Sequence, residues 1–297
     1  MLRLRIAGVT LLALMLLGVV AGIYGSWRWR AASRERVDQV LAAQRPMAAS
    51  RYDARAIEHL PAPVVRYFHH VLQDGQPLVL RARVAHQGFF NSRDDREQWV
   101  PFHSTEVFTV SPPGFLWDAQ IDSTRATPVF VSDSYIAGTG RMYGALFGLV
   151  PVVHAEGTPT MASGALMRYL AEAVWLPTAL LPASGVTWAP IDDHRALATL
   201  TDVPAGRPGQ QPVSVSLEFR FNDRNEVAEV YSPGRYRQVG DTAVPTPWSA
   251  VLRDVMSSRG MLIPTDAEVR WHLRDRVLPY WRGRVIDTEY EFAWIEE

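Results

Sequence analysis

The chain has 297 residues and a formal net charge of −1, with 30 basic and 31 acidic side chains. A charge so close to zero does not predict a nucleic-acid-binding surface. The chain contains no cysteine and no lysine, which excludes disulfides, thiol nucleophiles, cysteine-ligated zinc, iron–sulfur clusters and lysine Schiff bases. The length accommodates a membrane anchor with one large or two small domains.

The first predicted element is a helix in the uncharged apolar run from Ile6 to Trp27. At about 1.5 Å per residue this helix is about 33 Å long, enough to cross the hydrocarbon core of a bilayer. Arg28, Trp29 and Arg30 follow the run, as is typical of an interfacial anchor. A cleaved signal peptide is the alternative, but the run is long for one and no small-x-small cleavage site follows it. We therefore predict an uncleaved single-pass anchor in the inner (cytoplasmic) membrane.

The arginines around the apolar run give opposing indications of orientation. More arginines follow the run than precede it at Arg3 and Arg5, and the positive-inside rule then places the C-terminal domain in the cytoplasm. A short basic tail before an apolar run is also typical of a signal-anchor that exports everything after it. We predict export, because of the fold that the rest of the sequence indicates.

Helical patterns give way to strand patterns after the anchor. Ser33 to Gln44, Ala54 to Leu60 and Pro63 to Leu72 are predicted helices, and from Pro77 onward apolar and polar residues approach the alternation of half-buried strands. The predicted strands span residues 78–86, 98–100, 104–110, 115–121, 128–136, 187–191, 196–203, 213–221, 226–231, 235–239, 248–253, 268–273 and 284–292. Many strands with short connections predict an antiparallel sheet, and a sheet of this size curls.

One further helix, in the stretch from Arg168 to Pro182, separates the two groups of strands. Ser163 is predicted to cap its start, and Pro177 to end or kink it. Its apolar residues recur at helical spacing on one face, which a sheet must cover.

The predicted fold class is therefore α+β. It is a long curved antiparallel sheet with a helix in its concave face, preceded by an N-terminal transmembrane helix and short helices. The predicted division is an anchor at residues 1–30, a helical linker at 31–75 and a sheet domain at 76–297.

Candidate ligand-binding residues lie on this helix and among the ten tryptophans. Arg168 and Glu172, one helical turn apart, form either an exposed pair, which we favour, or a buried pair at the mouth of a cavity. The tryptophans in or near strands form either a large aromatic core, which we favour, or the wall of a wide apolar cavity. The predicted ligand-binding residues are Trp117, Tyr135, Arg168, Glu172, Trp175, Trp188 and Trp281.

An apolar stretch from Met142 to Val153 is too short to span a bilayer. Core packing is the favoured interpretation, and an apolar lip that touches a membrane or lines a ligand cavity is the alternative.

The glycines from Gly138 to Gly144 resemble a dinucleotide-binding loop only superficially. The third glycine is one position late and Pro151 interrupts any following helix, so nucleotide binding is not predicted.

Asp192, Asp193 and His194 have side chains suited to metal binding or acid–base chemistry. Three adjacent residues at the end of a strand are more typical of a turn, and no second histidine stands at ligand spacing. We predict no catalytic residue, no metal and no cofactor. A hydrolase that uses Asp192, His194 or Glu172 is the remaining enzymatic hypothesis.

Several motifs resemble an uncharacterised bacterial family of membrane-anchored proteins with a domain of unknown function. They are Arg168 to Pro182, Leu60-Pro61-x-Pro63 followed by Arg66-Tyr67, Pro113-Gly114-Phe115-x-Trp117, Asp133-x-Tyr135, Trp188 with Asp192, and Pro279-Tyr280-Trp281-Arg282-Gly283. The resemblance runs from about Leu60 to Tyr290. An export element followed by a curved sheet with a helix in its concavity also loosely resembles the periplasmic lipoprotein-carrier fold, whose members hold acyl chains in an apolar cavity. That likeness implies a fold and not a function.

We therefore predict a membrane-anchored domain that binds a lipid or another apolar ligand. The alternative is a protein-interaction or envelope-sensing domain, which has a protein partner and no bound ligand. The membrane is the predicted partner in both cases, and nucleic acid is not.

Overall fold

A single antiparallel sheet dominates the computed structural model, which describes residues 2–93, 96–122, 127–204, 211–240 and 242–293. Its strands are β1 (Val79–Asn91), β2 (Trp99–Thr109), β3 (Gly114–Asp122), β4 (Pro128–Ile136), β5 (Thr139–Leu146), β6 (Val150–Glu156), β7 (Val186–Asp192), β8 (Arg195–Asp202), β9 (Val213–Phe221), β10 (Val227–Val239), β11 (Thr242–Ser258), β12 (Met261–His272) and β13 (Val277–Phe292). The helices of the described residues are α1 (Leu2–Ala42), α2 (Ala62–Val71) and α3 (Pro159–Glu172), with short 3₁₀ turns at 54–57 and between 173 and 184.

Strand order explains the shape of the sheet. The order is β6-β5-β4-β3-β2-β1-β13-β12-β11-β10-β9-β8-β7, so β6 and β7, which follow one another in the chain, lie at opposite edges. The segment that joins them contains α3, which contacts both β5 and β9. Those strands are nine strand spacings apart, about 43 Å in a flat sheet. A helix of 14 residues is only about 21 Å long, so the sheet curves around α3.

The N-terminal helix α1 runs without a break from the apolar segment to Ala42. Among the described residues, the part from Gly8 to Ala42 is the one helix long and apolar enough to span a membrane. A signal sequence near the N-terminus also meets these criteria of length and hydropathy, and the uncleaved anchor stays a prediction.

The C-terminal half of α1 packs on the convex side of the sheet, opposite α3. Trp29 stacks on Phe130 and Tyr143 with ring centroids 5.5 and 5.7 Å apart, and its indole Nε1 donates a hydrogen bond of 2.8 Å to Asp118 Oδ1. Arg36 Nη1 donates to Ser132 Oγ at 3.1 Å. The helix is therefore fixed to the sheet as well as joined to it by the chain.

The predicted fold class is confirmed: an open antiparallel sheet with a helix packed on it, preceded by an apolar N-terminal helix. Met142 to Val153 forms most of the hairpin β5–β6, in which Ala145 is buried and Val150 and Val152 are exposed. One local prediction, the cap of the central helix, was wrong. The central helix begins at Pro159, and its cap is Thr158, whose Oγ1 accepts a hydrogen bond from Met161 N. Ser163 lies inside the helix. The division at residues 30 and 75 stays a prediction.

Gly140 on β5 permits α3 to lie close to the sheet. A methyl group added at this position should therefore destabilise the fold. A Cβ at Gly140 would clash with the backbone carbonyl of Met161 on α3. We expect Gly140→Ala to lower the free energy of unfolding by about 1–3 kcal/mol, as overpacking does. The measurement is chemical denaturation of the full-length protein in detergent, followed by tryptophan fluorescence.

Gly164→Ala is the matched control, because a Cβ at Gly164 in α3 meets no atom within 4 Å. Alanine at an open helical position is expected to raise stability by up to about 1 kcal/mol. Equal destabilisation by both substitutions would contradict the close approach of α3 and β5.

Candidate functional site

Arg168 on α3 is the centre of a buried charged cluster. Its Nη2 donates to Glu106 Oε1 at 3.1 Å, its Nη1 donates to Asp133 Oδ2 at 2.9 Å, and its Nε donates to Glu172 Oε1 at 2.9 Å. Only 15 % of the Arg168 side chain and none of the Glu106 side chain is exposed. The guanidinium also lies 4.9 Å from the ring centroid of Trp117. Three carboxylates from two strands and the helix therefore converge on one cation.

Sheet register places these groups in one row. Cross-strand pairing puts Val84 beside Glu106, Glu106 beside Trp117, and Trp117 beside Asp133. Paired residues on adjacent strands face the same side of a sheet. The row runs from β1 to β4 along the concave face, where α3 lies across it. Two of the three acids on Arg168 thus come from sheet positions that would otherwise hold apolar core side chains.

Burial shifts the protonation of the acids in this cluster. Desolvation raises the pKa of Glu106 well above its usual range, against the opposing effect of Arg168. Burial also raises the pKa of Glu172, against the opposing effect of Arg168. The second oxygen of Glu106, Oε2, has no donor among the described residues, which further favours the protonated acid. One cation and three acids carry a net charge of −1 when one acid holds a proton and are neutral when both Glu106 and Glu172 do, the two acids whose pKa is raised.

A buried histidine adjoins the charged cluster on β1. His86 is 1 % exposed, its ring centroid lies 4.4 Å from that of Trp175, and neither ring nitrogen has a partner among the described residues. Burial, assisted by the charge of Arg168, lowers the pKa of His86 to about 3. The imidazole is therefore neutral at physiological pH and adds no second cation to the cluster.

A cavity of about 280 Å³ lies beside the cluster, between α3 and the concave face. Apolar side chains form most of its wall, and a few polar groups converge on it. The lining residues are Phe90, Trp117, Ile121, Val131, Asp133, Met142, Val153, Arg168, Glu172, Arg235, Trp248, Val269, Tyr280 and Trp281. A mainly apolar wall with few polar groups is typical of a small-molecule site, and the volume is at the lower end of the usual range of about 300–1,000 Å³.

Arg235 differs from Arg168 in its partners. Its Nη1 donates to Tyr280 Oη at 3.2 Å and its Nη2 to the carbonyl of Gly164 on α3 at 3.3 Å. Its guanidinium lies 4.8 Å from the ring centroid of Trp248. Its Nε is buried without an acceptor, and no described carboxylate forms an ion pair with it. The cavity wall therefore contains a cation that no described acid neutralises.

The structure brings four of the seven predicted ligand-binding residues to this cavity: Trp117, Arg168, Glu172 and Trp281. The other three lie elsewhere. Tyr135 Oη donates to Asp202 Oδ2 at 2.7 Å. Trp175 packs on His86, and Trp188 packs edge-on against Phe219 with its Nε1 donating to the carbonyl of Leu180. Ligand binding by any of the seven stays a prediction.

The pairing of Arg168 with Glu172 is the buried arrangement, and the exposed pair that we favoured is wrong. Sequence reasoning also missed Glu106, His86 and Arg235. Glu106 carried a signal, because it falls in phase with the inward apolar residues Phe102 and Phe108 of the same strand. A charged residue at an inward strand position must find a partner.

The acidic residues around His194 form a turn at the surface. Asp192 Oδ1 accepts a hydrogen bond from His194 N, and Asp192 Oδ2 accepts one from Arg195 Nε. These bonds lower the pKa of Asp192. Within the described residues, no group of three or more histidine, aspartate or glutamate side chains has the arrangement of a metal site.

Comparison with models of protein families identifies the family that the sequence motifs indicate. The model of a family of unknown function, DUF6544, matches residues 50–283. The chain belongs to this family. The predicted membership of an uncharacterised family is thereby confirmed, and the family description names no activity. No curated protein matches the chain.

Two solved structures are similar in fold. A LolA superfamily protein from Nitrosomonas europaea has 9 % identity and a TM-score of 0.30, covering 78 % of this chain and 94 % of its own. A beta-barrel-like protein of the DUF1849 family from Brucella abortus has 11 % identity and a TM-score of 0.28, covering 72 % and 99 %. The loose likeness to the lipoprotein-carrier fold is confirmed at this level, and similarity so low carries no functional argument.

Removal of the central cation tests the energetics of the cluster. We expect Arg168→Met to lower the free energy of unfolding by about 3–5 kcal/mol, because it leaves Glu106 and Asp133 buried without their cation. Chemical denaturation at neutral pH measures it. Arg195→Met is the control, since Arg195 is an exposed partner of Asp192 and Glu218 and its loss should change stability little. Similar losses in both variants would show that the buried cluster is not specially stabilising.

The raised pKa of Glu106 predicts a pH dependence of stability. The folded state holds the proton of Glu106 above the unfolded pKa of about 4.3, where the unfolded state has released it. Stability therefore falls as pH rises from the unfolded pKa through the raised folded pKa. We expect a shallower fall above the unfolded pKa for Glu106→Gln, which cannot ionise. Parallel curves for Glu106→Gln and the unsubstituted protein would contradict the shift.

Proposed function

We propose that the sheet domain binds a small amphipathic ligand with a single apolar chain, in the cavity between α3 and the concave face. The cavity carries this proposal, since its wall combines aromatic and aliphatic side chains with a few polar groups. Its volume of about 280 Å³ is at the small end of ligand sites. One apolar chain therefore suits it better than an intact lipid with two chains.

Two unsatisfied donors indicate the chemistry of the polar end. The indole Nε1 of Trp117 and the Nε of Arg235 are both buried without an acceptor among the described residues, and both side chains line the cavity. Burying a donor without a partner is unfavourable by about 1–3 kcal/mol. Arg235 also carries a charge that no described carboxylate neutralises. An acceptor with a negative charge, such as a carboxylate, satisfies both groups.

The acids of the cavity wall do not oppose this assignment. Asp133 and Glu172 each accept a hydrogen bond from Arg168. Protonation of Glu106, favoured by its burial, removes a further negative charge from the cluster. Arg235 is then left as the cation free to attract an anionic head group. The proposal includes anchoring through α1, and export of the domain stays a prediction.

The test is photo-crosslinking of the full-length protein, reconstituted in nanodiscs, with a decanoic acid that carries a diazirine near its terminal carbon. We expect labelled peptides from β3 and β13, which contain Trp117 and Trp281. Unlabelled decanoic acid should compete for labelling more strongly than decanol, and Arg235→Gln should reduce the advantage of the acid about tenfold while decanol competes as before.

Two tryptophan substitutions provide the matched comparison. Val153 lines the cavity, so Val153→Trp should fill part of the cavity and reduce labelling at least fivefold. Val244→Trp, at an exposed position on β11 outside the cavity, should leave it unchanged. Labelling confined to α1, or equal loss in both variants, would overturn the proposal. A protein-interaction or envelope-sensing domain, the alternative, predicts no labelling inside the cavity.

A further inference from the structure

A second concave surface lies on the other side of the sheet, between α1 and two residues of the sheet region, Pro128 at the start of β4 and Phe147 after β5. This groove, which we call the α1 groove, has a volume of about 970 Å³. Gly18, Gly22, Trp27, Arg30 and Arg34 of α1 line one wall, and Phe147 lies on the other. The groove shares no residue with the cavity beneath α3, and therefore any ligand it holds is distinct from that of the cavity.

Close backbone contact fixes the hairpin end of the groove. A Cβ on Gly25 would clash with the carbonyl of Phe147, and a Cβ on Gly148 would lie 2.6 Å from the carbonyl oxygen of Gly25. Gly148 also has a φ of +68°, which glycine adopts without strain. The turn between β5 and β6 is thereby held beside the last apolar turn of α1. Val150 and Val152 of β6 are exposed apolar side chains close to this turn in the chain.

The chemistry of the groove changes along α1. The wall is apolar from Met15 to Ile23, aromatic at Trp27 and Phe147, and cationic at Arg30 and Arg34. This order matches the parts of an anionic phospholipid in a bilayer, which are the apolar acyl chain, the interfacial region and the phosphate. Arg30 and Arg34 are both exposed, one helical turn apart, and neither forms an ion pair with a described carboxylate.

We propose that the α1 groove binds one anionic phospholipid of the surrounding bilayer. Its phosphate lies between Arg30 and Arg34, and an acyl chain lies along Gly18 and Gly22. The absence of side chains at these two glycines gives the chain room, because a Cβ at either position meets no protein atom within 4 Å. The inference requires α1 in a bilayer and does not depend on a ligand in the cavity. The bound lipid fixes the rotation of α1 and the hairpin relative to the membrane surface.

The test uses the full-length protein in nanodiscs that contain equal amounts of phosphatidylglycerol and phosphatidylcholine. Native mass spectrometry measures the lipid that the protein retains after its release from the nanodisc. We expect one retained phosphatidylglycerol and little phosphatidylcholine. Arg30→Gln and Arg34→Gln should each reduce retention about fivefold, the contribution of one basic residue near an anionic surface. Arg28→Gln is the control, since Arg28 is exposed near the same level of α1 but outside the groove. It should retain the lipid.

Two glycine substitutions test the apolar part of the groove. Gly22→Leu fills it and should reduce phosphatidylglycerol retention, whereas Gly8→Leu, equally unobstructed but outside the groove, should not. Equal retention of both phospholipids, or equal loss in Arg28→Gln and Arg30→Gln, would overturn the proposal. So would loss of the phospholipid in Val153→Trp, since that result would place it in the cavity. Loss of decanoic acid labelling in Val153→Trp with phosphatidylglycerol retained separates the two sites.

Discussion

The hydrogen bonds of Arg168 hold α3 to the sheet. Its guanidinium joins β2 through Glu106, β4 through Asp133 and its own helix through Glu172. A cation this deep is tolerated only when its donors are satisfied and its charge is neutralised. The three acids accept its hydrogen bonds and supply the negative charge that neutralises it. Because two of them lie on separate strands, the register of β2, β3 and β4 and the position of α3 are specified together. The position of α3 in turn defines the cavity.

The crossing of α3 follows from chain order. Each consecutive pair of strands is joined by a short connection except β6 and β7, which lie at opposite edges of the sheet. The chain between them has to pass over one face, and the sheet curls until its two halves reach the same helix. Antiparallel pairing of β1 with β13 joins the halves at the middle of the sheet. The concave face is thus closed by a connection, and its cavity lies where that connection does not fill the space.

Local patterns in the sequence predict most of the strands and the helices, since alternation and helical spacing are properties of neighbouring residues. Strands β5 and β6 were not predicted, and the curvature was predicted from the size of the sheet. The β1–β13 pairing has no such signal, because it joins residues more than 180 positions apart. The row of Glu106, Trp117 and Asp133 depends on register between strands, which alternation alone leaves open. Arg168 and Glu172 were recognisable as a pair from their spacing. Their burial was not, because it depends on the strands that α3 crosses.

Adjacent residues of the same strand contact α3 on one face of the sheet and α1 on the other. On β3, Trp117 faces Arg168 and the next residue, Asp118, accepts the hydrogen bond of Trp29 from α1. On β4, Asp133 bonds to Arg168 and the preceding residue, Ser132, accepts a hydrogen bond from Arg36. Successive residues of a strand face opposite sides. A displacement of β3 or β4 that widens the cavity therefore also displaces the contacts of that strand with α1. The helix that carries the predicted anchor is thereby mechanically coupled to the cavity wall.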